Sequence, residues 1–88
     1  MLVTITNRTT RQQLDEFKKQ LKDKGFDLDY KKIEYNTKGV LTYIDGTIDS
    51  KSGHSSFVAV DFEKLVLSMI TDGSRIYFKV RVKDKEVI

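Results

Sequence analysis

The stretch Lys51-Ser52-Gly53-His54-Ser55-Ser56 sets the single histidine of an 88-residue chain among three serines. An imidazole beside hydroxyls is the starting material of nucleophilic catalysis, in which the ring takes the proton as oxygen attacks. That chemistry also requires an orienting carboxylate, an oxyanion hole and a rigid strand-to-helix elbow. A small polar segment between strands supplies none of these by pattern, so Ser50 to Ser56 reads as a solvated loop. Asp27 and Asp29 share one side of an expected strand and have the oxygens a hard cation needs, yet two exposed carboxylates read as solvated. One histidine and no cysteine rule out zinc sites of the usual His/Cys type within one chain. The sequence has no calcium loop, no Walker-type GxxxxGK[ST], no GxGxxG and no HExxH. The expectation is a non-enzymatic chain that carries no metal or cofactor.

A different chemistry is written into the last strand. Ile76, Phe78, Val80 and Val82 alternate with Tyr77, Lys79, Arg81 and Lys83, a period of two that turns one set inward and the other to water. Outward positions of an earlier hairpin carry Leu41, Tyr43 and Thr47. Aromatics among cations suit stacking on nucleobases or docking an acidic peptide. The surface formed by Leu41, Tyr43, Tyr77, Lys79 and Arg81 is the candidate binding site. The Gly-Phe/Tyr-Gly-Phe core of RNA-binding sheets is absent, and alternating polar residues are also what any sheet with one wet face must have.

These positions are held by elements with clear signals. Leu2 to Thr6 alternates as a short strand. Thr10 and Gln13 form a capping-box pattern ahead of Leu14, Phe17 and Leu21, and Gly25 is placed to end the helix over residues 10–24. Its lysines, Lys18, Lys19, Lys22 and Lys24, form the solvated side. Gly25 to Asp49 contains a hairpin around Asn36-Thr37-Lys38-Gly39, a type I turn closed by a left-handed glycine. Apolar parity switches between Tyr30 and Ile33, which predicts a β-bulge at Lys31-Lys32. With the bulge, Tyr30 faces Ile44, Leu28 faces Gly46 and Phe26 faces Ile48. A strand over residues 56–60 is expected to turn Val58 and Val60 inward.

Residues 61–71 fit two elements. Phe62, Leu65, Val66, Met69 and Ile70 make a helical stripe with Asp61 as N-cap, the more demanding coincidence and the reading preferred. The same residues read as a strand leading into a hairpin through Thr71-Asp72-Gly73-Ser74. Asp84 to Ile88 is expected to fray. The expected order is β-α-β-β-β-α-β. It is a single α+β domain over residues 1–88, a two-layer sandwich with both helices on one face of a mostly antiparallel sheet, related to the ferredoxin-like plan.

Composition agrees with one small soluble domain. The net charge of +3 and pI near 9.2 come with acidic residues interspersed throughout, short of the basic footprint of a dedicated nucleic-acid binder. Met1-Leu2-Val3-Thr4-Ile5 is too short and too quickly polar to read as a signal peptide, and no apolar run approaches membrane-spanning length.

The runs Ile5-Thr6-Asn7-Arg8-Thr9-Thr10, Phe17-Lys18-Lys19-Gln20-Leu21-Lys22-Asp23-Lys24-Gly25, Phe26-Asp27-Leu28-Asp29-Tyr30 and Tyr35-Asn36-Thr37-Lys38-Gly39 resemble a known module. It is the carboxy-terminal accessory domain of bacterial membrane-embedded regulatory metallopeptidases of the β-lactam-sensing, antirepressor type. The likeness covers the first half of the chain and stops at about Gly53. The zinc-binding HExxH of those proteases is missing, so peptidase activity does not carry over. The resemblance implies an extracytoplasmic (periplasmic) module of a larger envelope protein that binds a protein partner or envelope component. A small nucleic-acid-binding domain using Tyr43, Tyr77, Lys79 and Arg81 is the alternative expectation.

Overall fold

Thr10 and Gln13 close the first turn of the helix reciprocally. The Gln13 amide donates to Thr10 Oγ1 at 3.2 Å and the Thr10 amide donates to Gln13 Oε1 at 2.9 Å, satisfying two donors that a helix start leaves without partners. In a computed structural model that describes residues 2–51 and 53–84, this helix, α1, spans Arg11–Asp23. It ends in a Schellman motif: Gly25 takes φ +88°, and the amides of Gly25 and Phe26 donate to the carbonyls of Lys22 and Leu21 at 3.1 and 2.9 Å. Leu14 and Leu21 are buried beneath it.

Six strands accompany α1 among the described residues: β1 (Leu2–Thr6), β2 (Asp27–Tyr35), β3 (Leu41–Ser50), β4 (Gly53–Val60), β5 (Phe62–Asp72) and β6 (Arg75–Asp84). They form two antiparallel three-stranded sheets, a first of order β1-β5-β6 and a second of order β2-β3-β4. One core joins them. Val3, Ile5, Leu65, Leu67 and Met69 come from the first sheet, Leu28, Ile44, Ile48, Phe57 and Ala59 from the second, and Leu14 and Leu21 from α1. The fold is α+β, with two sheets and one helix where one sheet and two helices were expected.

The second helix is the main correction. Residues 62–72 are strand β5, and Gly73 at φ +63° with Ser74 closes a two-residue turn into β6. A positive φ at the first central residue is the type II′ geometry whose twist matches the flanking strands. Leu65, Leu67 and Met69 point inward while Val66, Ser68 and Ile70 face out. The helical stripe was a coincidence of a segment apolar on both sides, and pairing with the alternating strand β6 decided it. The expected loop over residues 50–56 also contracts, because β3 runs to Ser50 and β4 starts at Gly53. Ser52, and the expected fraying beyond Asp84, lie outside the described residues.

Strand β4 shows the opposite parity to the one expected. Phe57 and Ala59 are buried, whereas Val58 and Val60 are 54% and 55% exposed. Phe57 pairs with Gly46, and its ring fills the space a side chain there would take.

The hairpin forms around Asn36 to Gly39 as expected. Gly39 has φ +77°, and Asn36 Oδ1 accepts from the amides of Lys38 and Val40 at 2.9 and 3.0 Å. The bulge falls at Lys31, between the pairs Tyr30–Gly46 and Lys32–Asp45. The pairs nevertheless differ from expectation: Tyr30 meets Gly46 and Leu28 meets Ile48, two residues along β3. One residue of the offset comes from the turn, where Tyr35 pairs with Leu41, and the other from an irregularity at Thr42. A two-residue offset preserves which side chains face the core.

The irregularity at Thr42 is where the sheets are stitched together. The Leu41 amide donates to the Asn7 carbonyl at 2.9 Å, the Asn7 amide to Glu63 at 3.2 Å, and the Asp61 amide to Thr42 at 2.8 Å. Asp61, at φ +46°, is the one residue between β4 and β5, so the chain crosses from sheet to sheet at a single left-handed corner.

Candidate functional site

The outer face of the first sheet has no helix over it and carries most of the expected site. Strand β6 places Tyr77 opposite Ile70, Lys79 opposite Ser68, Arg81 opposite Val66 and Lys83 opposite Lys64. Residues directly opposite in an antiparallel ladder share a face, so cations form the rim and Val66 and Ile70 the floor. Tyr77, Lys79 and Arg81 are all exposed. A shallow groove is lined by Lys64, Val66, Arg81, Val82 and Lys83. Lys83 Nζ lies 3.2 Å from Glu63 Oε2. Among the described residues, no carboxylate stands within ion-pair distance of Lys64, Lys79 or Arg81.

Two of the five expected residues are placed elsewhere. Leu41 is 1% exposed and belongs to the core, because the irregularity beside it turns the start of β3 inward. Tyr43 lies on the outer face of the second sheet, opposite Val60 and Glu34. Its hydroxyl donates to Asp45 Oδ2 at 2.7 Å, which raises the phenol pKa, and Lys32 Nζ sits 5.5 Å from its ring centroid. The inward half of the β6 alternation holds at Ile76 and Phe78, which pack against the core. Val80 and Val82, on the same side further along, are 36% and 42% exposed, because β6 is an edge strand there.

Lys64 and Val66 were missed because a helix would have placed them away from β6. The outer face of the second sheet was also missed. Asp27 pairs with Asp49, Asp29 with Thr47, Lys32 with Asp45 and Glu34 with Tyr43, which makes this face predominantly acidic. The signal was present as alternation of acids with Leu28, Ile44 and Ile48.

His54 is bonded through Nδ1 to Asp49 Oδ1 across the β3–β4 ladder. An imidazole with its carboxylate is half of a catalytic relay, but these side chains are 61% and 51% exposed. Among the described residues, no group of three His, Cys, Asp or Glu is arranged to hold a metal ion, and no helix is long and apolar enough to cross a membrane.

Comparison with protein families, with curated proteins and with solved structures finds no match to this chain.

Proposed function

We propose that this chain is a non-enzymatic interaction module that docks an acidic segment of a partner protein on the outer face of β5 and β6. The observation that carries the reading is the uncovered row Tyr77, Lys79, Arg81 on β6, set beside exposed Ile70 and half-buried Val66 on β5. Arg81 has the planar fork that grips a carboxylate through two hydrogen bonds. Tyr77 and Ile70 add apolar area that water leaves when an extended peptide covers it. The resemblance of the first half to accessory domains of membrane-embedded regulatory peptidases favours an extracytoplasmic setting, with a protein or envelope component as the occupant. A nucleic-acid surface is less well served, because Tyr43 stands on the acidic face, on a different sheet from Tyr77, Lys79 and Arg81.

The test is fluorescence anisotropy with an extended peptide alternating Glu and Val, against single-stranded and duplex oligonucleotides. Expected are peptide binding that weakens but persists at about 0.5 M salt, and a loss of at least about tenfold in K79E/R81E. Oligonucleotide binding with a steep logarithmic salt slope, and no peptide binding, would replace this reading with the nucleic-acid one.

A further inference from the structure

The net charge of +3 conceals a separation of charge across the molecule. The outer face of the first sheet carries Lys64, Arg75, Lys79, Arg81 and Lys83 against Asp72, with Glu63 beside Lys83. The outer face of the second carries Asp27, Asp29, Glu34, Asp45 and Asp49 against Lys31 and Lys32. On the acidic face Lys31 is paired with Asp29 at 3.4 Å and Lys32 with Glu34 at 3.2 Å. Asp27, Asp45 and Asp49 are then left without a lysine or arginine partner among the described residues. Both sheets bury their inner faces in one core, so the two charged faces look away from each other.

The faces also match in pitch and in apolar content. Cations at 79, 81 and 83 and acids at 27 and 29 repeat every second residue, a spacing of roughly 6.5–7 Å along any strand. Each face carries exposed aliphatic side chains: Leu2 and Ile70 on the basic one, Val58 and Val60 on the acidic one, all more than half exposed. Buried against each other, such patches would contribute the non-directional part of an association whose register the charges set.

We propose that the protein associates with itself head to tail, the basic outer face of sheet β1-β5-β6 in one copy seated on the acidic outer face of sheet β2-β3-β4 in the next. This names a second copy as the partner for the docking surface proposed above and rests on that reading. Because the contact uses two different faces on opposite sides of the molecule, it leaves a free basic and a free acidic face at the ends. The assembly grows as an open chain instead of closing as a two-fold dimer.

Sedimentation velocity across a concentration series at low salt tests it, with circular dichroism confirming that each variant is folded. The wild-type protein should give a weight-average mass that climbs past two copies with concentration and falls toward the monomer as salt is raised to about 0.5 M. K79E/R81E, which cancels the positive charge of the basic face, and D45K/D49K, which cancels the negative charge of the acidic one, should each be monomeric alone and associate when mixed. Should D45K/D49K not fold, D45N/D49N serves for the loss of association. A wild-type protein that stays monomeric at about 1 mM in low salt, or saturates at two copies, overturns the proposal. So does a mixture of the reversed variants that does not associate. A monomeric wild type that still binds the Glu/Val peptide through Lys79 and Arg81 would overturn self-association alone and leave the docking surface intact.

Discussion

Two tyrosines show how single side chains fasten the helical layer to the second sheet. Tyr30 donates its hydroxyl hydrogen to the Leu14 carbonyl at 2.8 Å, and Tyr35 donates to the Thr9 carbonyl at 2.7 Å. Burial raises both phenol pKa values, Tyr30 the more strongly, with Asp15 adding to the rise there. The sign of the pH effect follows. Below about pH 10 both folded and unfolded chains keep the phenol neutral, so stability does not depend on it. Above about pH 10 the unfolded chain ionises while folded Tyr30 stays protonated, and stability falls with rising pH. The urea midpoint should therefore drop between about pH 10 and 11.5, and Y30F should show a shallower drop. At pH 7 the same variant should lose about 1 kcal/mol for the missing hydrogen bond. An equally steep alkaline drop in Y30F would refute the assignment. Residue-level roles of this kind were only half legible. The inward parity of Tyr30 and Tyr35 follows from alternation, whereas the carbonyls they reach belong to elements whose docking no local pattern specifies.

At the scale of elements, local chemistry decided α1 and the Asn36–Gly39 turn, because both are closed by hydrogen bonds among residues a few positions apart. Strand β5 was not decidable in that way. Its residues satisfy both a helical stripe, the reading preferred from the sequence, and a strand alternation, and only β1 on one side and β6 on the other resolve the choice. The parity of β4 was missed for a related reason. Val58 and Val60 have the better strand propensity, but Gly46 across the ladder leaves room for the Phe57 ring. A Cβ on Gly46 would stand 2.2 Å from the Asp29 carbonyl oxygen and 2.9 Å from Phe57 Cζ. The bulge at Lys31 bends β2 down over that point, so backbone and ring meet where only a hydrogen fits. G46A should destabilise by at least about 2–3 kcal/mol, the cost of overpacking against backbone that cannot withdraw. G39A, where no atom lies within 4 Å of the added methyl, should cost only about 1 kcal/mol for its positive φ. Thermal melts of the two variants check the ranking, and equal losses would contradict this account of the bulge.

The architecture of the whole molecule was legible only as a class. One-sided burial, strand by strand, correctly implied an α+β domain, and the exposed face of β6 carries the expected Tyr77, Lys79 and Arg81. That the strands divide into two sheets depends on Asp61, Thr42, Asn7 and Glu63 meeting through backbone groups, and side-chain periodicity carries no trace of such contacts. Their meeting implies that neither sheet opens alone, since β4 and β5 are one run of chain with a single residue between them. Native-state hydrogen exchange should show amides of Ile44 and Leu67, one in each sheet, exchanging with the same free energy as global unfolding. Two well-separated values would mean two independent units.

Strand β1 carries a kinetic consequence. Its ladder joins residues 2–6 to residues 64–68, so the helix and strands β2 to β4 must be gathered before the first strand has anything to hold. Closing so long a loop is slow compared with forming a local hairpin. Strand β1 is thus the last to find its seat, and until it does, the edge of β5 waits open to a strand from any neighbouring chain.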